Sequence, residues 1–152
     1  NMDDLDGDID YDFPYGPHHY TDGIQYREFK LADFLNDLNT IDSVKVNCSY
    51  VANFFNTCST ALGLSSKSQR IINTSSIFYT NLIDPIGSHG SDIAAWHYHH
   101  FGWYNNKVFD PCLKIGSILP TNMAQGTYDG LLIQSGYGYN ASDTDVGTII
   151  NY

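Results

Sequence analysis

Between Asn47 and Gly63 the chain carries one uninterrupted helical pattern, and the rest of the sequence has to pack around it. Val51, Phe54, Phe55, Cys58 and Leu62 recur at the three- and four-residue spacing that lines one face of an α-helix. Asn47 offers a side-chain oxygen of the kind that caps a first turn, and Gly63 stands where a left-handed residue ends a helix. A helix is therefore expected from Cys48 to Leu62, with Cys48 in its first turn.

A second helix is expected over Arg27 to Asn39, where Leu31, Phe34, Leu35 and Leu38 keep the same spacing before Asn39-Thr40 and Asp42-Ser43 break it. After Gly63 the pattern turns to strands. Gln69 to Asn73, Ser76 to Ile83, Ile93 to Trp103 and Lys107 to Leu113 are rich in β-branched and aromatic residues, and Tyr104-Asn105-Asn106-Lys107 reads as a hairpin turn. Gly126 to Tyr139 is expected to add one or two strands, with Leu131-Leu132-Ile133 the firmest segment. Helices come first and strands second, which is the order of an α+β fold.

A chain of 152 residues is long enough for one ordinary core. Its formal charge of −10, with only seven Lys and Arg, argues against nucleic acid and against an anionic membrane surface as partners. No apolar run approaches the roughly 20 residues that span a bilayer. The chain opens on Asn1, so it is read as processed or as part of a larger polypeptide, and its few Lys and many Asn and Tyr lean towards a secreted or cell-surface protein. Residues 1–22 read as an acidic arm or linker, leaving 23–152 as the folded domain. Within the arm, Asp4, Asp6, Asp8 and Asp12 around Gly7 are similar to a calcium loop, because a hard cation needs several oxygens around a tight turn. Ile9 stands where that pattern wants a second Gly. The three sequons, at Asn47, Asn73 and Asn140, are read as chance in a chain rich in Asn, Ser and Thr.

The three cysteines are an odd number, so at least one is free or pairs outside the chain. Cys58 lies on the helix stripe about 15 Å along the axis from Cys48, so the two cannot bond, and it is expected in the core. Cys48 occupies a first turn, where unpaired N–H groups and the positive end of the helix dipole favour a thiolate. Position alone leaves two readings open: a nucleophile, or a buried cysteine packed or disulfide-bonded to Cys112. The hairpin favours the first. Its strands bring imidazoles (His97, His99, His100) and Asp110 within reach of one another, and a carboxylate beside an imidazole orients it as a base. Cys112 lies two residues past Asp110, on the same sheet face. His97 and His99, two apart on a strand, also share a face and can chelate, which gives a zinc reading without any CxxC or HExxH to support it.

Asn47-Cys48-Ser49-x-x-Ala52 with a downstream Leu62-Gly63, then His100-x-x-Trp103, then Val108-Phe109-Asp110-Pro111-Cys112-Leu113, resembles the transglutaminase-like branch of the papain-fold cysteine enzymes. The resemblance covers residues 47–113. It implies a papain-like α+β fold, with N-terminal helices and a central Cys-bearing helix packed on an antiparallel sheet. It also implies Cys48 as nucleophile, His100 as base and acid, and Asp110 as the orienting carboxylate. A three-residue turn would set His100 beside Asp110, whereas a two- or four-residue turn would set His99 there; the family's spacing favours His100. These enzymes often carry an oxyanion side chain upstream of the Cys, for which Gln25 is the candidate. Trp96 and Trp103 are expected in the core, with Trp103 able to roof the cleft. The implied reaction is acyl transfer from, or hydrolysis of, a peptide or protein amide through a thioester, with no cofactor required. The alternative is a non-catalytic, calcium-stabilised extracellular interaction module of the same fold.

Overall fold

The protein is described by a computed structural model, which covers residues 9–12, 20, 28–41, 43–72, 77–87, 92–134, 140–141 and 149–151. The chain begins with strand β1 (Ile9–Tyr11), then β2 (Glu28–Lys30) running into helix α1 (Leu31–Thr40), then β3 (Val44–Val46) running into helix α2 (Cys48–Ala61). Strands β4 (Lys67–Ile72), β5 (Phe78–Tyr79), β6 (Ile83–Pro85), β7 (Ala95–Trp96), β8 (Tyr98–Tyr104), β9 (Lys107–Phe109) and β10 (Leu113–Ile115) follow. Helix α3 (Gln125–Leu132) precedes the short strands β11 (Asn140–Ala141) and β12 (Ile149–Asn151). The described residues thus form a mixed α/β fold whose main sheet is antiparallel, in the order β11-β4-β8-β9. None of its helices is long and apolar enough to cross a membrane.

Helix α2 is the centre of the fold and lies against β8 and β4. Asn47 caps it, accepting a hydrogen bond from Tyr50 N at 3.0 Å. Its buried side differs from the expected stripe. Cys48 to Asn53 are all buried, and further along the helix Asn56, Thr57 and Ser59 go in while Cys58 and Leu62 are exposed. The first turns are surrounded on every side, so each residue there is interior whatever its polarity. Beyond them, small polar side chains allow a close approach, and Asn56 Oδ1 and O both accept from the Ser66 hydroxyl. The expectation that Cys58 belongs to the core is therefore corrected: it is an exposed thiol.

Part of the stretch read as an arm is woven into the core. Ile9 and Tyr11 are buried, and β1 pairs in parallel with β3, with Tyr11 opposite Val46. Asp10 is also buried and forms an ion pair with Lys45. Helix α1 starts at Leu31 instead of Arg27 because Glu28–Lys30 extends alongside β12. Of the strands expected at Gly126 to Tyr139, the part up to Leu132 is corrected, since Gln125–Leu132 is helical, and residues 135–139 lie outside the described residues. Two glycines depress helix propensity in this segment. Burial of Tyr128 and Leu132, one turn apart, and a Gln125–Asp129 hydrogen bond of 2.7 Å offset that.

The β8–β9 hairpin closes through Asn105 and Asn106, both left-handed at φ 50° and 58°. Asn tolerates that conformation, and two such residues make the type I′ turn that fits the twist of a hairpin. The register that follows pairs Tyr104 with Lys107, Trp103 with Val108 and Gly102 with Phe109. Gly102 lets Phe55 of α2 lie directly on the sheet, stacked on Phe109 with ring centroids 5.6 Å apart. A Cβ at Gly102 would overlap the Phe55 ring and come within 2.9 Å of the Phe109 carbonyl. Gly102→Ala should therefore destabilise the fold by about 1–3 kcal/mol, as overpacking does. Urea denaturation measures this, and a midpoint equal to that of the unaltered protein would show the helix–sheet contact to be slack.

Candidate active site

Cys48 stands at the tip of α2, where β3 delivers the chain through Asn47 into the helix. The thiol is 6% exposed. Its polar neighbours are the His99 imidazole, the backbone of His100 and the Tyr11 hydroxyl. Burial opposes the thiolate, yet these three donors and the His99 charge together hold the Cys48 thiol below its ordinary value.

His99 is fully buried on β8, and its Nε2 lies 2.8 Å from Asp110 Oδ2. Nδ1 makes no hydrogen bond among the described residues; it is the ring nitrogen that Asp110 leaves unused, and the Cys48 thiol is the other group that acts on the ring. Burial alone would favour the neutral ring. The Asp110 charge and hydrogen bond, joined by Cys48, overcome it and push His99 up to about 10. The Trp96 indole stacks on the imidazole at 4.5 Å and 9°, a geometry that favours the cationic ring.

Asp110 is itself saturated with donors. Tyr128 Oη–H donates to Oδ2 at 2.6 Å and Cys112 N–H to Oδ1 at 2.9 Å. Burial and then the Asp110 charge hold the Tyr128 phenol well above its usual value, so it remains a donor. Cys112 Sγ–H donates to the Cys48 carbonyl at 3.7 Å, and burial and neighbouring negative charge keep that thiol protonated. All three cysteines are free, so the expected alternative of a Cys48–Cys112 disulfide is not adopted.

Of the expected triad, the structure brings Cys48 and Asp110 together and replaces the histidine. His100 is not the partner of Asp110; His99 is, as the two-residue turn requires. Alternation sends His100 the other way, where its Nδ1 and Ser49 Oγ share a 2.6 Å hydrogen bond. Burial, then the charges of Arg70 and His99, lower His100 to about 3. The shared face expected for His97 and His99 is not formed: His97 interrupts the strand between β7 and β8 and is exposed, whereas His99 is buried. Among the described residues no group of three or more His, Cys, Asp or Glu is placed to hold a metal ion. Gln25, Asp4, Asp6 and Asp8 lie outside the described residues, and Asp12 is half-buried with its N–H on Val46 O at 2.9 Å.

Sequence reasoning missed Tyr11, Trp96 and Tyr128. Tyr11 was hidden in an acidic run and Tyr128 in a segment read as strand, while Trp96 was read as core and its place on His99 depends on the sheet register. A cleft of about 350 Å³ opens beside the site, walled by Phe55, Ile86, Phe109 and Leu113, with Asp110 and Cys112 also on its wall. Comparison with known proteins adds no relative: no family, curated protein or solved structure matches the chain.

The two histidines should oppose each other in their effect on stability. His100, lowered in the folded state, stabilises above the unfolded value of about 6.5 and loses that contribution as pH falls towards 3. His99, raised, stabilises below about 6.5 and loses its contribution as pH rises through about 10. Replacing His100 with Asn should therefore flatten the acid limb of the stability profile by up to one proton, about 1.4 kcal/mol per pH unit. Denaturation between pH 6 and 4 checks this, and an unchanged acid limb would show that His100 is not held neutral.

Proposed function

We propose that this protein is a cysteine enzyme that transfers an acyl group from an amide, or hydrolyses it, through a thioester on Cys48. In this reading His99 is the base and acid, Asp110 orients it, and the fold is of the papain-like, transglutaminase-like kind. The carrying observation is the chain of contacts from Cys48 to His99 to Asp110, with the thiol at a helix N-terminus and the carboxylate fixed by Tyr128 and Cys112. Two adjacent imidazoles held at about 10 and about 3 separate the charged partner of a thiolate from a neutral structural ring.

The thiolate attacks the amide carbonyl and forms the C–S bond while the first-turn N–H groups of α2 face the developing oxyanion. His99 then gives its Nδ1 proton to the leaving amine as the C–N bond breaks. With His99 now a base, water or an acceptor amine loses a proton to it and attacks the thioester, which returns the thiolate. The apolar cleft against Asp110 and Cys112 fits an apolar portion of a peptide or protein substrate. The burial of Cys48 favours a second reading, an extracellular interaction module in which the same contacts are structural. Reactivity separates the two.

The test is the pH dependence of thiolate ultraviolet absorbance in a Cys58→Ser, Cys112→Ser background, where Cys48 is the only thiol. The midpoint should lie below that of an ordinary thiol and return towards about 8.5 in His99→Ala. His100→Ala should leave it nearly in place, because its contact with the thiol is through the backbone. Asp110→Asn should raise it partway by unsettling the imidazole. If His99→Ala leaves the midpoint where it was, the thiol is a structural cysteine and the enzyme reading falls.

A further inference from the structure

Thioester chemistry needs donors aimed at the oxygen that becomes negative during attack. First-turn N–H groups supply one kind, and a side chain reaching the reacting sulfur can supply another. Tyr11 is that side chain. It is 4% exposed and its hydroxyl is hydrogen-bonded to Cys48. Its backbone is held from two sides: Tyr11 N–H donates to Ile86 O at 3.0 Å, and Asp12 N–H donates to Val46 O at 2.9 Å. The β1–β3 register puts Tyr11 opposite Val46, two residues ahead of Cys48, so one strand pair fixes both donor and nucleophile. Asp10 is tied to Lys45 and closely backed by Gly87, where a Cβ would lie 2.6 Å from the Asp10 carboxylate and φ is +102°. Only Gly tolerates both conditions, which keeps β1 tight against the fold.

Building on the nucleophile reading above, we propose that the Tyr11 hydroxyl is the side-chain donor of the oxyanion site. In the resting enzyme it donates to the thiolate. As a sulfur lone pair becomes the C–S bond, the carbonyl π pair moves to oxygen, and the O–H shifts its hydrogen bond from the neutralised sulfur to that oxygen. Collapse restores the carbonyl and expels an amine that takes the His99 proton, or a phenolate that needs none. Burial and the charge of Cys48 hold the Tyr11 phenol well above its usual value, so it stays a donor throughout.

Two probes of one thiol separate this role from its alternatives. Acylation by p-nitrophenyl acetate passes through an oxyanion, whereas alkylation by iodoacetamide displaces iodide at a saturated carbon and develops none. Both are measured on the full chain in the Cys58→Ser, Cys112→Ser background, above the thiol midpoint of each variant so that ionisation is matched. Tyr11→Phe keeps the buried ring and should slow acylation by about 100-fold, the loss typical of one oxyanion donor, while alkylation changes less than about 3-fold. Equal slowing of both reactions overturns the proposal, because the hydroxyl then acts only on the thiolate. No change in either overturns it as well. A parent protein that is alkylated at Cys48 but never acylated defeats the acyl-transfer reading itself, which is a different result from a failure of Tyr11.

Discussion

A carboxylate with no exposure to water has to be satisfied by the protein, and Asp110 sets the arrangement of everything near it. Its donors come from separate parts of the chain: His99 from β8, Tyr128 from α3, and the Cys112 N–H from the segment leading to β10. Each bond costs conformational freedom, and each is obligatory because the unpaired charge would cost several kcal/mol more. A helix as short and Gly-bearing as α3 is held against the sheet by Tyr128, and the same bond fixes one side of the Asp110 carboxylate. Stability and site geometry therefore rest on one group.

Much of this was legible where the signal is local. Asn47 as a cap, Cys48 in a first turn and the hairpin around Asn105-Asn106 are properties of a few neighbouring residues, and each appears where the sequence put it. The face of α2 was not legible, because a helix enclosed on all sides buries Ser49, Asn53 and Thr57 as readily as Val51. Periodicity reports burial only for a half-exposed helix. Tyr11 illustrates a different limit. Ile9 and Tyr11 alternate with aspartates, a strand pattern that the run of acidic residues masks, and its partner β3 lies far off in sequence. Parallel pairing of this kind leaves no turn to read. The family resemblance named His100 beside Asp110, whereas Asp110 pairs with the adjacent His99.

Burial of the thiol sets the condition under which such a site is useful. A thiolate–imidazolium pair removed from water is maintained only if every charge has partners, and here the sulfur has His99, the His100 backbone and Tyr11. In the proposed reaction those contacts are pre-organised, so no solvent would have to be rearranged at the moment of attack. On that proposal a substrate would take over space that side chains now fill. The apolar cleft ending against Cys112 and Asp110 gives part of that space without disturbing the carboxylate.

His99 and His100 form an internal control on what shifts an imidazole. They are consecutive, equally buried and on one strand, yet one is raised to about 10 and the other lowered to about 3. Burial lowers both, so it cannot account for the difference. What differs is the sign of the charge each meets: Asp110 and Cys48 around His99, Arg70 and the His99 cation around His100. Which ring meets which is decided by the register of β8 against β9, and that register is decided by a turn two residues long. A turn one residue longer would take Asp110 off the face that carries His99 and leave the imidazole beside the thiol without its carboxylate. The left-handed pair Asn105-Asn106, exposed in the turn, in this sense decides which imidazole meets the carboxylate.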